Sequence, residues 1–366
     1  MDGFTQDAAH AAMVEDWLAL HAVPSPTFGE AARLTTLHQR LEALGFGVQK
    51  DELGNLVVHV SSGHPHSLVL THVDTVFSEA EWRDVERRDQ RHWTAPGLGD
   101  NTASLAVVLG VLRRIANGEL VPAGSWTFAF TVGEEGFGDL RGARAVLAGM
   151  QPAPDGVLAV DGYLGGVVTH AVGSARYGVR FAGAGGHAWG DRGAPTAVHA
   201  AGDFIHALQR IPRRGEHGGS VNVGRVEGGH AVNALALDAT LEVEVRALEA
   251  GLLRRYDREV HKRARSVARR HGVELSLEPR GWRPAGRLDD GRFDRAFREA
   301  FAQVGLTLRS SPSSTDANAA LEVGVPAATV GVYRGGNAHR LDEWVDPTSL
   351  TQGAELLERV LVALDR

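Results

Sequence analysis

The chain has 366 residues, more than one hydrophobic core usually holds, so we expect two domains. Its 43% hydrophobic and 23% charged residues suit a globular protein, and a net charge of −7 without long blocks of one sign argues against nucleic acid as a partner. The absence of cysteine excludes disulfides and thiolate metal sites, so any metal would be held by histidine and carboxylate side chains.

The start of the chain lacks the basic residues and apolar core of a signal peptide. No apolar run approaches the ~20 residues that span a bilayer. We therefore expect a cytoplasmic protein with no membrane partner.

The N-terminal segment to about Leu44 is predicted to be helical, with a break at Pro24–Pro26. Thr27 with Glu30 fits a capping box for the next helix. From Val48 to Val60 apolar and polar residues alternate as in paired strands.

Helices and strands then alternate, which indicates an α/β sheet. The elements are strand Ser67–Thr71, helix Ser104–Ile115, strand Ser125–Thr131, helix Leu140–Leu147 and strand Gly156–Val160.

Near Ala175 the order changes to βαββαβ, the order of a ferredoxin-like domain. The elements are Tyr177–Phe181, Ala194–Gln209, Ser220–Val226, Thr240–Arg246, Leu252–Arg270 and Val273–Leu277.

After Pro284 the α/β pattern resumes with helix Arg292–Val304, strand Ala328–Val332 and a last helix from Ser349. We therefore predict a discontinuous catalytic domain, residues 1–174 and 283–366, built on a mixed sheet flanked by helices. A smaller α+β domain is inserted at residues 175–282.

Polar clusters follow several predicted strands, where α/β sheets build their sites. His72 and Asp74 share one face of a strand, so the carboxylate can orient an imidazole bound to metal; a polar strand end is the alternative. Asp100, framed by glycines before a helix, could bridge two cations or serve only as an N-cap.

The adjacent carboxylates Glu134 and Glu135 follow an apolar strand and have a glycine on either side. Their side chains point in different directions, so one can bind metal while the other faces a metal-bound water; a solvated turn is the alternative. Asp161 ends a further strand. His339 follows the last strand in a loop, where a lone histidine is usually a surface residue.

Together these residues supply two imidazoles and three carboxylates: His72, Asp100, Glu135, Asp161 and His339. The set matches a pair of Zn²⁺ or similar ions, each taking one histidine, one terminal carboxylate and the shared Asp100. Two such ions lower the pKa of a bridging water and leave a place for a substrate carbonyl. Glu134 would take the water's proton and pass it to the leaving amine.

Over essentially the whole chain, these motifs in this order resemble those of the M20 metallopeptidases and amidohydrolases. The matching motifs are His72-Val73-Asp74-Thr75-Val76, Gly99-Asp100-Asn101, Glu134-Glu135, Asp161 and Ala338-His339. Ser313–Asn318 and Arg334–His339 look closest to peptidase-T-like members. Other groups in the family are acetylornithine deacetylases and carboxypeptidase G.

The resemblance implies how the ligands are shared. One metal would be held by His72, Asp100 and Asp161, and the other by Asp100, Glu135 and His339.

It also implies supporting roles. Asp74 would support His72, and Glu134 would be the general base. A cis peptide is expected at Asp100–Asn101.

The inserted domain resembles the family's dimerisation lid, which implies a homodimer. Gly185–Gly190 matches a Gly-His segment whose histidine, here His187, polarises the scissile carbonyl, often from the partner subunit. A phosphate loop is the competing interpretation of Gly183–Gly190, but it lacks a following Lys-Ser/Thr. Asn233 and Arg246 match substrate-contacting residues, and Arg246 suits a substrate carboxylate, although it could be an ordinary exposed strand residue.

We therefore expect a two-metal hydrolase that cleaves amide bonds of small peptides with a metal-bridging hydroxide and Glu134 as proton shuttle. An N-acyl-amino-acid deacylase shares every metal residue and is the alternative; a non-catalytic metal-binding protein on the same fold is a third. Zn²⁺ is the expected cofactor, and Mn²⁺ and Co²⁺ accept similar ligands.

Overall fold

The computed structural model describes residues 3–61, 63–211 and 218–366. The chain divides into two compact units, the larger one Met1–Ala171 with Arg287–Arg366 and the smaller one Val172–Gly286. Each has its own hydrophobic core. The catalytic and lid roles given to residues 1–174 with 283–366 and to 175–282 stay predictions.

In its described residues, the first part of the larger unit contains four α-helices and nine strands. In chain order they are α1 Gly3–His21, α2 Ala31–Ala43, β1 Val48–Lys50, β2 Leu56–His59, β3 His66–His72, β4 Glu86–Arg87, β5 Trp93–Thr94, α3 Thr102–Ala116, β6 Ser125–Thr131, α4 Arg141–Gly149, β7 Gly156–Val160, β8 Gly166–Val168 and β9 His170–Ala171.

The middle of the chain follows the predicted βαββαβ order with short additional strands. Its elements are β10 Gly173–Ala182, β11 Gly186–His187, α5 Ala197–Gln209, β12 Ser220–Gly228, β13 Ala234–Leu235, β14 Asp238–Ala247, α6 Ala250–His271, β15 Glu274–Arg283 and β16 Gly286–Arg287.

The last part completes the larger unit. Its elements are α7 Arg292–Gln303, β17 Arg309–Ser310, α8 Ala320–Val323, β18 Ala327–Val330, β19 Arg334–Gly336, β20 Trp344–Asp346 and α9 Leu350–Leu364.

The main sheet of the larger unit is mixed, with the order β1-β2-β6-β3-β7-β18-β8-β17. The central strands β6, β3, β7 and β18 are mutually parallel. Every residue of β6 is buried, as expected for a parallel strand covered on both faces. Helices α1, α3, α7 and α9 share one core with the sheet, and α4 and α8 share the other, so the predicted α/β sheet flanked by helices is confirmed.

The smaller unit is a four-stranded antiparallel sheet of order β12-β14-β10-β15. Strand β14 alternates buried and partly exposed residues along its length. Helices α5 and α6 pack into the core on the buried face. Among the described residues, no helix of either unit is long and apolar enough to cross a membrane.

The last residue of α1, His21, is buried at 2% exposure. Its Nε2–H donates to the Pro96 carbonyl oxygen at 3.1 Å, and its ring stacks on Trp82 with centroids 4.7 Å apart. Burial, and then the nearby charge of Arg33, lower the pKa of His21 to about 4. His21 is therefore neutral in the folded protein near pH 6.

Because the unfolded chain binds a proton at His21 below about pH 6.5 and the folded chain only below about pH 4, stability falls as the pH decreases through this window. We expect His21 to account for a loss of about 3 kcal/mol between pH 7 and pH 4. His21→Gln, which keeps an N–H for Pro96, should flatten the decline measured by denaturant unfolding. The exposed His199→Gln is the control, and equal slopes for all three proteins would refute the assignment.

Candidate metal and active site

The predicted ligands meet at one edge of the main sheet. His72 is the last residue of β3, Glu135 lies four residues beyond the end of β6, and Asp161 directly follows β7. Because these strands are parallel, their carboxyl ends lie side by side. Asp100 stands just before α3, and His339 lies in the turn between β19 and β20.

Two groups of potential metal-ligand atoms share Asp100. The ligand atoms of His72, Asp100 and Asp161 lie within 4.8 Å of one another, and so do those of Asp100, Glu135 and His339. The structure thus brings together all five side chains that the sequence suggested as ligands. A carboxylate common to two such groups is placed to bridge two cations.

The two oxygens of Asp100 face different imidazoles. Its Oδ1 lies 3.2 Å from Nε2 of His72, and its Oδ2 lies 3.1 Å from Nε2 of His339. Nδ1 of His72 donates to the carbonyl oxygen of Asp74 at 3.0 Å, which leaves Nε2 as the ligand atom. Oδ1 of Asp100 is buried and accepts no hydrogen bond of good geometry from the described residues, so the donor set fits a divalent cation. The Asp100–Asn101 peptide is cis, as predicted.

Burial and mutual repulsion shift the pKa values of the carboxylates in the site. Burial, and then the charge of Asp100, raise the pKa of Glu135 to about 7 and that of Asp161 well above its usual value. Burial opposes ionisation of Asp100, but the neighbouring imidazoles of His339 and His72 hold its pKa below the usual range. Hydrogen bonds to Asp100 and Glu135 raise the pKa of His339 to about 11. Cation binding here would therefore release protons.

Glu134 is 4% exposed and belongs to a third group of close ligand atoms, with His72 and Glu135. It therefore stands beside both metal-ligand groups and is a member of neither. That is the position in which a carboxylate can exchange a proton with a reacting water.

Asp74 is fully buried, and its carboxylate organises the glutamate pair. It accepts the backbone N–H groups of Glu134 and Glu135 at 3.0 Å each and the hydroxyl of Thr27 at 2.9 Å. Nδ1 of His72 lies 3.5 Å from its Oδ1. Asp74 thus positions the Glu134–Glu135 turn in addition to approaching the imidazole, a contact that the sequence did not predict.

The capping-box interpretation of Thr27 and Glu30 is wrong. The N-cap of α2 is Glu30 and it has no side-chain cap hydrogen bond. The Thr27 hydroxyl binds Asp74, while Oε1 of Glu30 accepts the N–H of Phe28 at 2.9 Å.

Two side chains that the sequence analysis missed form hydrogen bonds between segments that carry different ligands. Glu343 is fully buried, and its Oε1 accepts the N–H of Asp100 at 2.8 Å. The hydroxyl of Tyr163 accepts the N–H of Ala338 at 3.0 Å. Glu343 stands four residues after His339 in an acidic turn, and that proximity was the only sequence signal for it.

A third missed side chain is Asp316. It is 3% exposed and contacts Thr131, the last residue of β6. The hydroxyl of Thr131 donates to its Oδ2 at 2.5 Å. Burial, and then the charge of Glu134, raise the pKa of Asp316 to about 7. It sits in the Ser313–Asn318 segment, which the sequence related to peptidase-T-like proteins without giving it a role.

His187, Asn233 and Arg246 belong to the smaller unit. Pairing of β11 with β13 places His187 opposite Ala234, next to Asn233. Nδ1 of His187 accepts the N–H groups of residues 189 and 190 at 3.2 Å each, so its Nε2 carries the proton. Arg246 on β14 pairs with Glu244 at 2.6 Å and is 40% exposed. The substrate roles of these residues stay predictions.

A mixed α/β sheet with two imidazole–carboxylate groups at its carboxyl edge defines a metal-binding hydrolase. The chain belongs to peptidase family M20/M25/M40, whose model matches residues 68–363. The resemblance noted in the sequence is thereby confirmed.

Three distant relatives span nearly the whole chain. The chain is 23% identical to the uncharacterized protein YqjE of Bacillus subtilis, over 95% of this chain and 97% of the relative. A tripeptidase from Staphylococcus aureus has a TM-score of 0.82 and 23% identity, covering 98% of this chain and 99% of that one. YXEP from Bacillus subtilis, a dinuclear metal binding peptidase of the M20 family, has a TM-score of 0.70 and 18% identity, with coverage of 98% and 99%.

Glu343 should influence metal affinity through Asp100. Glu343→Ala removes the acceptor for the Asp100 N–H, so we expect metal affinity to fall about 10- to 100-fold. Glu343→Gln keeps an oxygen acceptor and should lose much less. Competition with a chromogenic chelator measures the affinities, with the exposed Glu52→Gln as control. Wild-type affinity in folded Glu343→Ala would contradict this role.

Proposed function

We propose that this protein is a two-metal hydrolase that cleaves amide bonds in small peptides. The observation that carries the proposal is the geometry of Asp100, whose two oxygens face His72 and His339 and which belongs to both metal-ligand groups. Likeness to a tripeptidase across the whole chain favours a short peptide as substrate.

His72, Asp100 and Asp161 would hold one cation, and Asp100, Glu135 and His339 the other. Imidazole and carboxylate ligands without thiolate suit Zn²⁺, and they also accept Mn²⁺ and Co²⁺. When bound, two such cations lower the pKa of a water and polarise a substrate carbonyl.

Glu134 would take a proton from the attacking water and deliver it to the nitrogen of the leaving amine. Asp74 supports this task because it fixes the backbone N–H groups of both glutamates and so the direction in which Glu134 leaves the strand.

The smaller unit, Val172–Gly286, would serve as lid and dimerisation domain. His187 carries its proton on Nε2 and would donate it as a hydrogen bond to the carbonyl oxygen of the substrate. Asn233 lies beside the His187 segment and would contact the same substrate. Arg246 would bind a substrate carboxylate with the part of its guanidinium that Glu244 leaves exposed.

Glu134→Gln tests the chemistry. It keeps the shape of the side chain and removes the base, so kcat should fall about 10²- to 10⁴-fold while both metals remain bound. The exposed Glu52→Gln should retain full activity. Assays use di- and tripeptides beside N-acetyl amino acids. Full activity of metal-loaded Glu134→Gln would refute the role of Glu134 as general base. A wild-type preference for the N-acetyl compounds would identify the enzyme as a deacylase.

Metal stoichiometry tests the bridge. We expect two equivalents in the wild type, about one in His339→Ala, whose His72 half stays intact, and less than one in Asp100→Ala, which removes the shared ligand. Equilibrium dialysis followed by metal analysis gives the numbers, with the exposed His64→Ala as control. Two equivalents in Asp100→Ala would exclude the bridging assignment, and hydrolysis that survives complete metal removal would exclude metal-dependent catalysis.

A further inference from the structure

Exposed apolar side chains of the larger unit lie close in sequence to the residues of the candidate site. In its described residues, eight large apolar or aromatic side chains are exposed: Phe28, Leu53, Val76, Val121, Phe137, Tyr163, Val323 and Leu341. Five of these, Phe28, Val76, Phe137, Tyr163 and Leu341, lie within two positions in the sequence of a residue that belongs to the site or contacts it. Apolar surface that gathers around a polar site indicates contact with a ligand.

Phe28 is the most unusual of the five. Its ring is 60% exposed, and its backbone is left-handed with φ of 72°. That region is disfavoured for a residue with a Cβ and persists only where neighbouring contacts enforce it. Here Oε1 of Glu30 accepts the Phe28 N–H at 2.9 Å, and the hydroxyl of Thr27 is bound to Asp74.

One face of the Phe28 ring packs against the guanidinium of Arg141. The guanidinium of Arg141 lies 4.6 Å from the ring centroid and pairs with Glu30 at 3.2 Å. A Cβ on Gly133 would lie 2.6 Å from Nε of Arg141, so Arg141 packs directly against the residue that precedes Glu134. The arginine of the stacked pair therefore packs against the backbone that leads into Glu134, the proposed general base.

The segment that carries Phe28 is fixed along the strand end of the site. The N–H of Thr75 donates to the carbonyl oxygen of Ser25 at 2.8 Å, and Pro26 forms a parallel bridge with Thr75. The backbone on both sides of Phe28 is thus fixed by hydrogen bonds, which limits the motion of its exposed ring. A rigid exposed aromatic surface next to reacting groups is suited to bind a side chain of the substrate.

We propose that Phe28, backed by Arg141, is a specificity-determining residue that contacts a large apolar side chain of the substrate. The inference rests on the proposed amide hydrolysis and names its substrate class: small peptides with a leucine-like or aromatic residue next to the cleaved bond. Apolar contact of this size changes selectivity by about tenfold.

Phe28→Gly is the informative variant. Glycine adopts a φ of 72° without steric cost, which offsets the lost contact with Arg141, so the variant should fold with a melting temperature close to that of the wild type. We expect kcat/KM for Leu-Gly-Gly to fall about tenfold, mainly through KM, and kcat/KM for Gly-Gly-Gly to stay within about twofold. Phe28→Tyr keeps the ring and should retain the preference.

Val121→Ala is the matched control, because Val121 is 77% exposed in the same unit and away from the site residues in sequence. Binding of the same two peptides to metal-loaded Glu134→Gln, with and without Phe28→Gly, gives a readout independent of turnover. An unchanged Leu-Gly-Gly to Gly-Gly-Gly ratio in both experiments would overturn the role of Phe28 and leave the hydrolase intact. A wild type that cleaves no peptide would overturn the proposed function and this inference together.

Discussion

The central constraint on this structure is the repulsion among carboxylates collected at the carboxyl ends of the parallel strands in the mixed main sheet. Asp100 lies close to both Glu135 and Asp161 in a mostly buried site, and burial together with the charge of Asp100 raises the pKa of the other two. Only protons or cations can relieve such crowding. The two imidazoles approach different oxygens of Asp100, which makes it the charge that both halves of the site share.

The rigidity of this arrangement comes from side chains that bind backbone groups of other segments. Asp74 accepts the N–H groups of Glu134 and Glu135, and Glu343 accepts that of Asp100. Each bond spans at least sixty residues of sequence. A ligand carried on a loop is thereby held by the segment that carries another ligand, so the site is positioned as a unit.

The sequence predicted the parts of the site that follow a local rule. The ligands His72, Glu135 and Asp161 stand at or just beyond the ends of apolar strands, and periodicity alone locates such ends. Asp100 was ambiguous by itself, because a glycine-framed aspartate before a helix is also an ordinary N-cap. The order of the motifs along the chain removed that ambiguity.

The residues that were missed have no local signature. Thr27 and Glu343 matter because of a partner far away in sequence, and a capping box was a reasonable local interpretation for Thr27. Strands β19 and β20, which frame His339, have three residues each, too few to show alternation. Long-range hydrogen bonds and very short strands depend on tertiary structure, which a single sequence does not display.

Backbone outliers are concentrated around the same edge. In the described part of the chain, the non-glycine residues with positive φ are Phe28, Asp139, Leu140, Asn337 and His339. All of them flank or belong to segments that carry site residues, which is where folds tolerate such conformations. The two halves of the site differ in consequence: His72 ends a buried strand at 2% exposure, whereas His339 sits in a left-handed turn with 52% of its side chain exposed. Within the larger unit, solvent therefore reaches the imidazole of His339, whereas the imidazole of His72 is shielded by the end of its strand.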